Sequence, residues 1–155
     1  MMTSMLRIRL GSKLLLAGLM VLGLYAVAAK TSNKRIVTPK DFPSGRPYSA
    51  GIAVGDTLYV SGQTGSDPKT QKISEKFEDE VRQCLENAHA VLQAGGMDYA
   101  DVVSVQVYLT DMDQFQRMNG VYMELFKEPR PTRTTVGVAK LSGGAHMEIT
   151  MTARK

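Results

Sequence analysis

Arg133 and Glu148, near the end of the 155-residue chain, are the two residues best suited to chemistry together. A guanidinium is permanently charged, and its planar fork matches a carboxylate bidentately. A carboxylate held nearby can orient or deprotonate a water. Both residues fall in alternating stretches that read as strands. Thr134, Val136 and Val138 alternate with Arg133, Thr135, Gly137 and Ala139; Met147, Ile149, Met151 and Ala153 alternate with His146, Glu148, Thr150 and Thr152. If Leu141-Ser142-Gly143-Gly144 joins the two strands as a hairpin, Gly137 pairs with Glu148 and Arg133 with Thr152. The pair then shares one face, on the order of 13 Å apart between backbones at ~3.3 Å per residue. Two long side chains could reach a small ligand placed between them. The register is assumed, and a one-residue slip would separate them. On residue types alone, such an Arg and Glu more often form a solvated or interface ion pair.

Asn119 is a second polar residue in an unusual place. It falls on the side of a predicted helix with Phe115, Met118 and Tyr122, where an amide needs partners and commonly has a local structural role. Tyr48 follows Pro47 at the mouth of a predicted hairpin, where its hydroxyl could face a cleft or its ring could simply pack. His146 and Glu148 stand two apart on one strand face, but two possible ligands fall short of a metal site. His89 reads as a solvated residue on a helix flank, and Cys84, the single cysteine, as a small buried hydrophobe. The chain has no G-x-S-x-G, HExxH, CxxC or P-loop pattern, so conventional nucleophilic catalysis has no support.

The elements that must position these residues can be read in order. Residues 29–40 are a polar linker running into a first strand around Arg35–Thr38, and 41–155 form one domain. Asp41 to Pro47 is loop-like. Tyr48–Val54 and Thr57–Gly62, around Gly55-Asp56, read as a β-hairpin. A helix over Ser74–Ala94 carries the apolar stripe Phe77, Val81, Cys84, Leu85, Ala88, Val91 and Leu92, and Gly95-Gly96 ends it. Val102–Thr110 is a strand. Met112–Phe126 is a helix with Phe115, Met118, Tyr122, Leu125 and Phe126 inward, closed by Pro129 and Pro131. This order predicts an α+β domain with two helices on one face of a mostly antiparallel or mixed sheet. The other face must then meet solvent or another subunit.

The net charge of +4 is unevenly placed. Arg7, Arg9 and Lys13 precede the apolar run Leu14–Ala29, and the first acidic residue is Asp41. Residues 29–155 are left with 16 basic and 15 acidic side chains, too even a balance for binding nucleic acid through phosphates. The basic start, the apolar run and Ala26-Val27-Ala28 have the form of a signal peptide over 1–28. The run spans roughly 24 Å as a helix at ~1.5 Å per residue, short of the ~30 Å hydrocarbon core. Export to the periplasm or medium is therefore expected, without stable membrane association once the leader is cut; an uncleaved N-terminal anchor is the alternative.

Five short patterns, in order, resemble those of the Rid (YjgF) family, also described as endoribonuclease L-PSP. They are Pro47-Tyr48-Ser49-Ala50-Gly51, Ser61-Gly62-Gln63, the helix Asn119 to Phe126, Pro131-Thr132-Arg133 and Met147-Glu148-Ile149. The resemblance runs from about Ile36 to Ala153. It implies a chorismate-mutase-like subunit that forms a homotrimer with clefts between neighbours. It further implies that Arg133 grips a substrate carboxylate and Glu148 positions the hydrolytic water, with Tyr48, Ser61 and Asn119 completing the pocket. The implied reaction turns small 2-imino or enamine acids such as 2-aminoacrylate into 2-keto acids and ammonia, with no metal or organic cofactor. Thr135, Gly137 and Ser142 depart from the cysteine, glutamate and proline common in the family, which puts substrate choice in question. Non-catalytic binding or sensing of small carboxylates on the same fold is the alternative. The ribonuclease activity sometimes ascribed to the family fits poorly with the near-neutral domain and the lack of a His pair.

Overall fold

The computed structural model describes residues 33–155, so the expected leader and the first residues of the linker lie outside the described part. Strand β1 (Lys34–Val37) pairs with β2 (Gly51–Val54), which turns at Gly55-Asp56 into β3 (Thr57–Thr64). Gly55 has φ +60°, the left-handed conformation that a two-residue hairpin turn demands and glycine adopts without cost. Helix α1 (Phe77–Ala94) follows. Its predicted stripe is buried throughout, from Phe77 to Leu92. Acidic Glu78, Asp79 and Glu80 occupy the first turn, where the helix dipole favours negative charge. Gly96, at φ +78°, closes the helix, with the Gly96 N–H on the Gln93 carbonyl and the Met97 N–H on the Leu92 carbonyl.

Strand β4 (Val102–Leu109) leads through a 3-10 turn at Met112–Gln114 into helix α2 (Phe115–Leu125). The first turn of the expected second helix is thus a tighter one, and the Asp111 carboxylate accepts the Asp113 N–H at 2.9 Å. Met118, Tyr122 and Phe126 are buried as expected, while Phe115 and Leu125 are half-buried at the edge of the core. Strands β5 (Thr132–Gly137) and β6 (Met147–Arg154) complete the six-stranded mixed sheet, in the order β1-β2-β3-β6-β4-β5. One sheet face carries Leu58, Val60, Val105, Val107, Leu109, Met147, Ile149 and Met151 into a core shared with both helices. This is the α+β architecture expected, with both helices on one face.

The C-terminal hairpin is not formed. β5 pairs in parallel with β4, placing Arg133 beside Val105, and β6 runs antiparallel between β3 and β4. The reason lies in how the two strands are buried. In β6 every second residue from Met147 to Ala153 is fully in the core, so the strand needs neighbours on both sides. β5 is threonine-rich with no fully buried residue, which suits an edge. The parallel pairing of β4 and β5 is bridged by α2, an ordinary strand–helix–strand crossover.

Candidate active site

The face each candidate occupies follows from the register. Arg133 lies beside Val105, and Val105 beside Met151; both partners are core residues, so Arg133 points to the helix face. Glu148 lies between Thr64 on β3 and Tyr108 on β4, alternating with buried Met147 and Ile149, so it points to the open face. The expectation that Arg133 and Glu148 share a face within one subunit is therefore wrong. β4 separates their strands, and about three register steps add on the order of 10 Å along the sheet. Alternation placed Glu148 correctly on the face away from the helices, but the assumed hairpin linked the wrong strands and so put Arg133 on that face too.

Glu148 belongs to a cleft of about 890 Å³, whose lining includes Tyr48, Ser61, Gly62, Gln63 and Ser142. Its carboxylate lies across Gly62 so closely that a Cβ at position 62 would collide with Oε1. The strand is irregular at this point: the β3–β6 register shifts between Val60 and Gln63. Ser61 ties this irregular stretch to the segment that carries Tyr48. Its Oγ donates to the Ser49 carbonyl at 2.7 Å, and its N–H donates to the Ala50 carbonyl at 2.9 Å. Tyr48 itself is half exposed, its ring edge-on to Phe42 at 6.0 Å. Burial pushes the Glu148 carboxyl above its ordinary range, and among the described residues no cation counters it. A carboxylate of this kind is better suited to exchange protons than to hold a salt bridge. Tyr48, Ser61 and Glu148 are thus brought together.

Arg133 and Asn119 are not in that cleft. The Arg133 guanidinium lies 4.5 Å above the Tyr122 ring and 5.6 Å from that of Phe115, a cation–π seat on α2 that fixes its plane. Among the described residues it makes no ion pair or side-chain hydrogen bond, leaving its N–H donors open. Asn119 lies on α2 between Phe115 and Tyr122, half-buried and likewise without a side-chain hydrogen bond among the described residues. Thr135 is two positions along β5 from Arg133; its hydroxyl and that of Tyr122 are buried with no hydrogen-bond partner among the described residues. The described residues therefore hold the candidates in two separate places: a cleft with a partly buried carboxylate, and a seated guanidinium beside α2.

The profile of the endoribonuclease L-PSP family matches residues 38–155, most of the chain. The chain belongs to the Rid family. This Rid chain is 46% identical over 110 residues to a RutC family protein of Saccharolobus solfataricus, covering 70% of this chain and 87% of that one. It is 38% identical over 120 residues to the 2-iminobutanoate/2-iminopropanoate deaminase of Dermatophagoides farinae, covering 76% and 94%. Among solved structures it is similar to E. coli TdcF with bound serine, at 32% identity and a TM-score of 0.74, over 78% of this chain and 98% of that one.

Other residues also shape this Rid chain's site. Asn87 donates to the Thr64 and Ser66 carbonyls at 2.8 Å each and so holds one cleft wall. Glu80, fully buried, bonds to His146, whose ring serves here as a partner of this carboxylate. Both sit in phase with the α1 stripe (Glu80 three after Phe77, Asn87 three after Cys84), and a polar residue in an apolar phase was the available signal. His89 is also not merely solvated: it stacks on Tyr99 at 4.4 Å and bonds Asp98 at 2.7 Å. Cys84 is buried as expected, its thiol on the Gln63 carbonyl at 3.1 Å.

Proposed function

We propose that this protein hydrolyses small 2-imino and enamine acids to 2-keto acids and ammonia, at sites shared between copies of the chain in a homotrimer. The observation that carries this reading is the division of the site. Among the described residues, a guanidinium and a partly buried carboxylate, each without an ion-pair partner, stand on opposite faces of the sheet. The open face also exposes Ile36, Val54, Tyr59 and Val136, an apolar surface that a neighbouring copy would cover. A relative named as a 2-iminobutanoate/2-iminopropanoate deaminase supports the reaction class.

In this reading Arg133 of one copy grips the substrate carboxylate bidentately, with Asn119 beside it. Glu148 of the next copy, with Tyr48 and Ser61, faces the imine carbon. Glu148 takes a proton from water as its oxygen bonds to that carbon, and returns the proton to the nitrogen. The second water proton then passes from the new hydroxyl to the nitrogen as the C–N bond breaks, so the keto group forms and ammonia leaves. An enamine enters the same path after taking a proton on carbon. Imines hydrolyse unaided, so holding the carboxylate and presenting the water supplies much of the acceleration. Nothing in these steps calls on a metal or cofactor.

The test is release of 2-keto acid from freshly generated imines, with Arg133→Ala and Glu148→Gln beside the wild type. Acceleration by the wild type that both variants lose supports the proposal; equal rates in all three sink it. A second reading, carboxylate binding without turnover, is favoured by the serine bound in TdcF. It predicts binding of small carboxylates that Arg133→Ala abolishes and no imine is turned over.

A further inference from the structure

Outside the proposed pocket, one carboxylate holds the start of the strand that carries Glu148. Glu80, in the first turn of α1, is 0% exposed. Its Oε1 accepts the backbone N–H of His146 at 2.6 Å and that of Met147 at 3.2 Å, and its Oε2 lies 2.7 Å from His146 Nδ1. The His146 carbonyl accepts the Thr110 N–H at 3.0 Å, so the strand is gripped from both sides before β6 begins. Gly65 makes room for this: a Cβ there would run into the Glu80 side chain and carbonyl. The segment just after β3, the first turn of α1 and the start of β6 thus meet at Glu80.

A carboxylate buried so completely is costly unless its oxygens are hydrogen-bonded, and here both are. A charge placed only for the helix dipole could stay in water, as the neighbouring Asp79 does. Glu148 follows Met147 directly, and Ser142 and Gly143, which line the cleft, precede His146 by only a few residues. We propose that Glu80 is a positioning residue: by gripping the His146 and Met147 amides it fixes where the Glu148 carboxylate lies over Gly62. The kinetic part of this inference rests on the proposed imine hydrolysis; the structural part does not.

The grip needs an acceptor rather than a charge. Glutamine at position 80 can offer Oε1 to the two amides and donate from Nε2 to a neutral His146 Nδ1. Aspartate keeps the charge but is one methylene too short to reach β6.

The experiment follows the Glu148 carboxyl titration by carbon NMR in the full protein, and kcat and KM for imine hydrolysis, in wild type, Glu80→Gln, Glu80→Asp and Glu80→Ala. Glu80→Gln should keep the wild-type Glu148 midpoint and a kcat within about threefold. Glu80→Asp should move that midpoint toward the ordinary glutamate value and lower kcat about tenfold or more, with KM changed less than about threefold because Arg133 holds the carboxylate. Glu80→Ala should do the same where it folds, and Glu80→Asp decides the matter where it does not. A folded Glu80→Asp protein with an unchanged Glu148 midpoint overturns the inference. That NMR result stands even if the wild type hydrolyses no imine, which would fail the proposed function alone.

Discussion

Arg133 and Glu148 point to opposite faces of one sheet, with β4 between the strands that carry them. Within a subunit neither can serve the other. In the proposed mechanism their cooperation is a property of assembly, and the consequences of altering each residue separate cleanly.

Arg133 is seated on Tyr122 and Phe115 with no hydrogen-bond partner among the described residues, so its loss should act on carboxylate binding. Charge-assisted hydrogen bonds contribute about 1.5–3 kcal/mol, so Arg133→Ala should weaken binding of a small 2-keto acid by roughly ten- to a hundredfold. Arg133→Lys should recover only part of this, since a lysine lacks the planar fork. Calorimetric titration measures it; unchanged affinity in Arg133→Ala would remove the residue from the site.

Gly62 lies beneath the Glu148 carboxylate with no room for a side chain. Gly62→Ala should push that carboxylate out of place, lowering kcat about tenfold or more while 2-keto acid affinity changes little. Steady-state kinetics beside the same binding titration checks this. A variant with wild-type kcat would show that the close approach has no bearing on turnover.

Burial raises the Glu148 carboxyl above its ordinary value of 4.5, so the fold favours the protonated acid. Its contribution to stability is then fully present below that value and is lost as the pH rises through the raised one. Turnover has the opposite sign, since the ionised form activates water: kcat should rise with pH across a midpoint above 4.5. Glu148→Gln should abolish that limb, lower kcat by roughly 10²–10⁴, and be at least as stable as the wild type at neutral pH. A pH–rate profile and thermal melts on both proteins measure these effects, and an acid limb that survives in Glu148→Gln belongs to another group.

The basic start and apolar run of residues 1–28 predict cleavage after Ala28. Mass spectrometry of the protein from a cell that exports it should find a chain beginning at Ala29. Recovery of the full-length chain in the membrane fraction would instead support the uncleaved anchor.

The elements were legible where burial has a period. The α1 stripe and the alternation of Met147, Ile149, Met151 and Ala153 mark a helix and a strand and say which side faces the core. Strand partners were not legible, because alternation in β5 and β6 is satisfied equally by any neighbour. Only the heavier burial of β6 sends it between β3 and β4 and leaves β5, with Arg133, on the edge. The role of Glu80 was hidden for a related reason. An acid in a first helical turn looks like a dipole partner, and its true partners, His146 and Met147, lie 66 and 67 residues away.

Complementation between two inactive variants tests the shared site most directly. Arg133→Ala and Glu148→Gln subunits, each inactive alone, are co-expressed in equal amounts and the mixed oligomers assayed for imine hydrolysis. If each site takes its arginine from one copy and its glutamate from the next, random mixing in a closed ring leaves both intact in about one site in four. Activity should therefore return to roughly a quarter of the wild-type level. Mixed oligomers as inactive as their parents, with subunit mixing confirmed by native mass spectrometry, would contradict a site built from Arg133 of one copy and Glu148 of another.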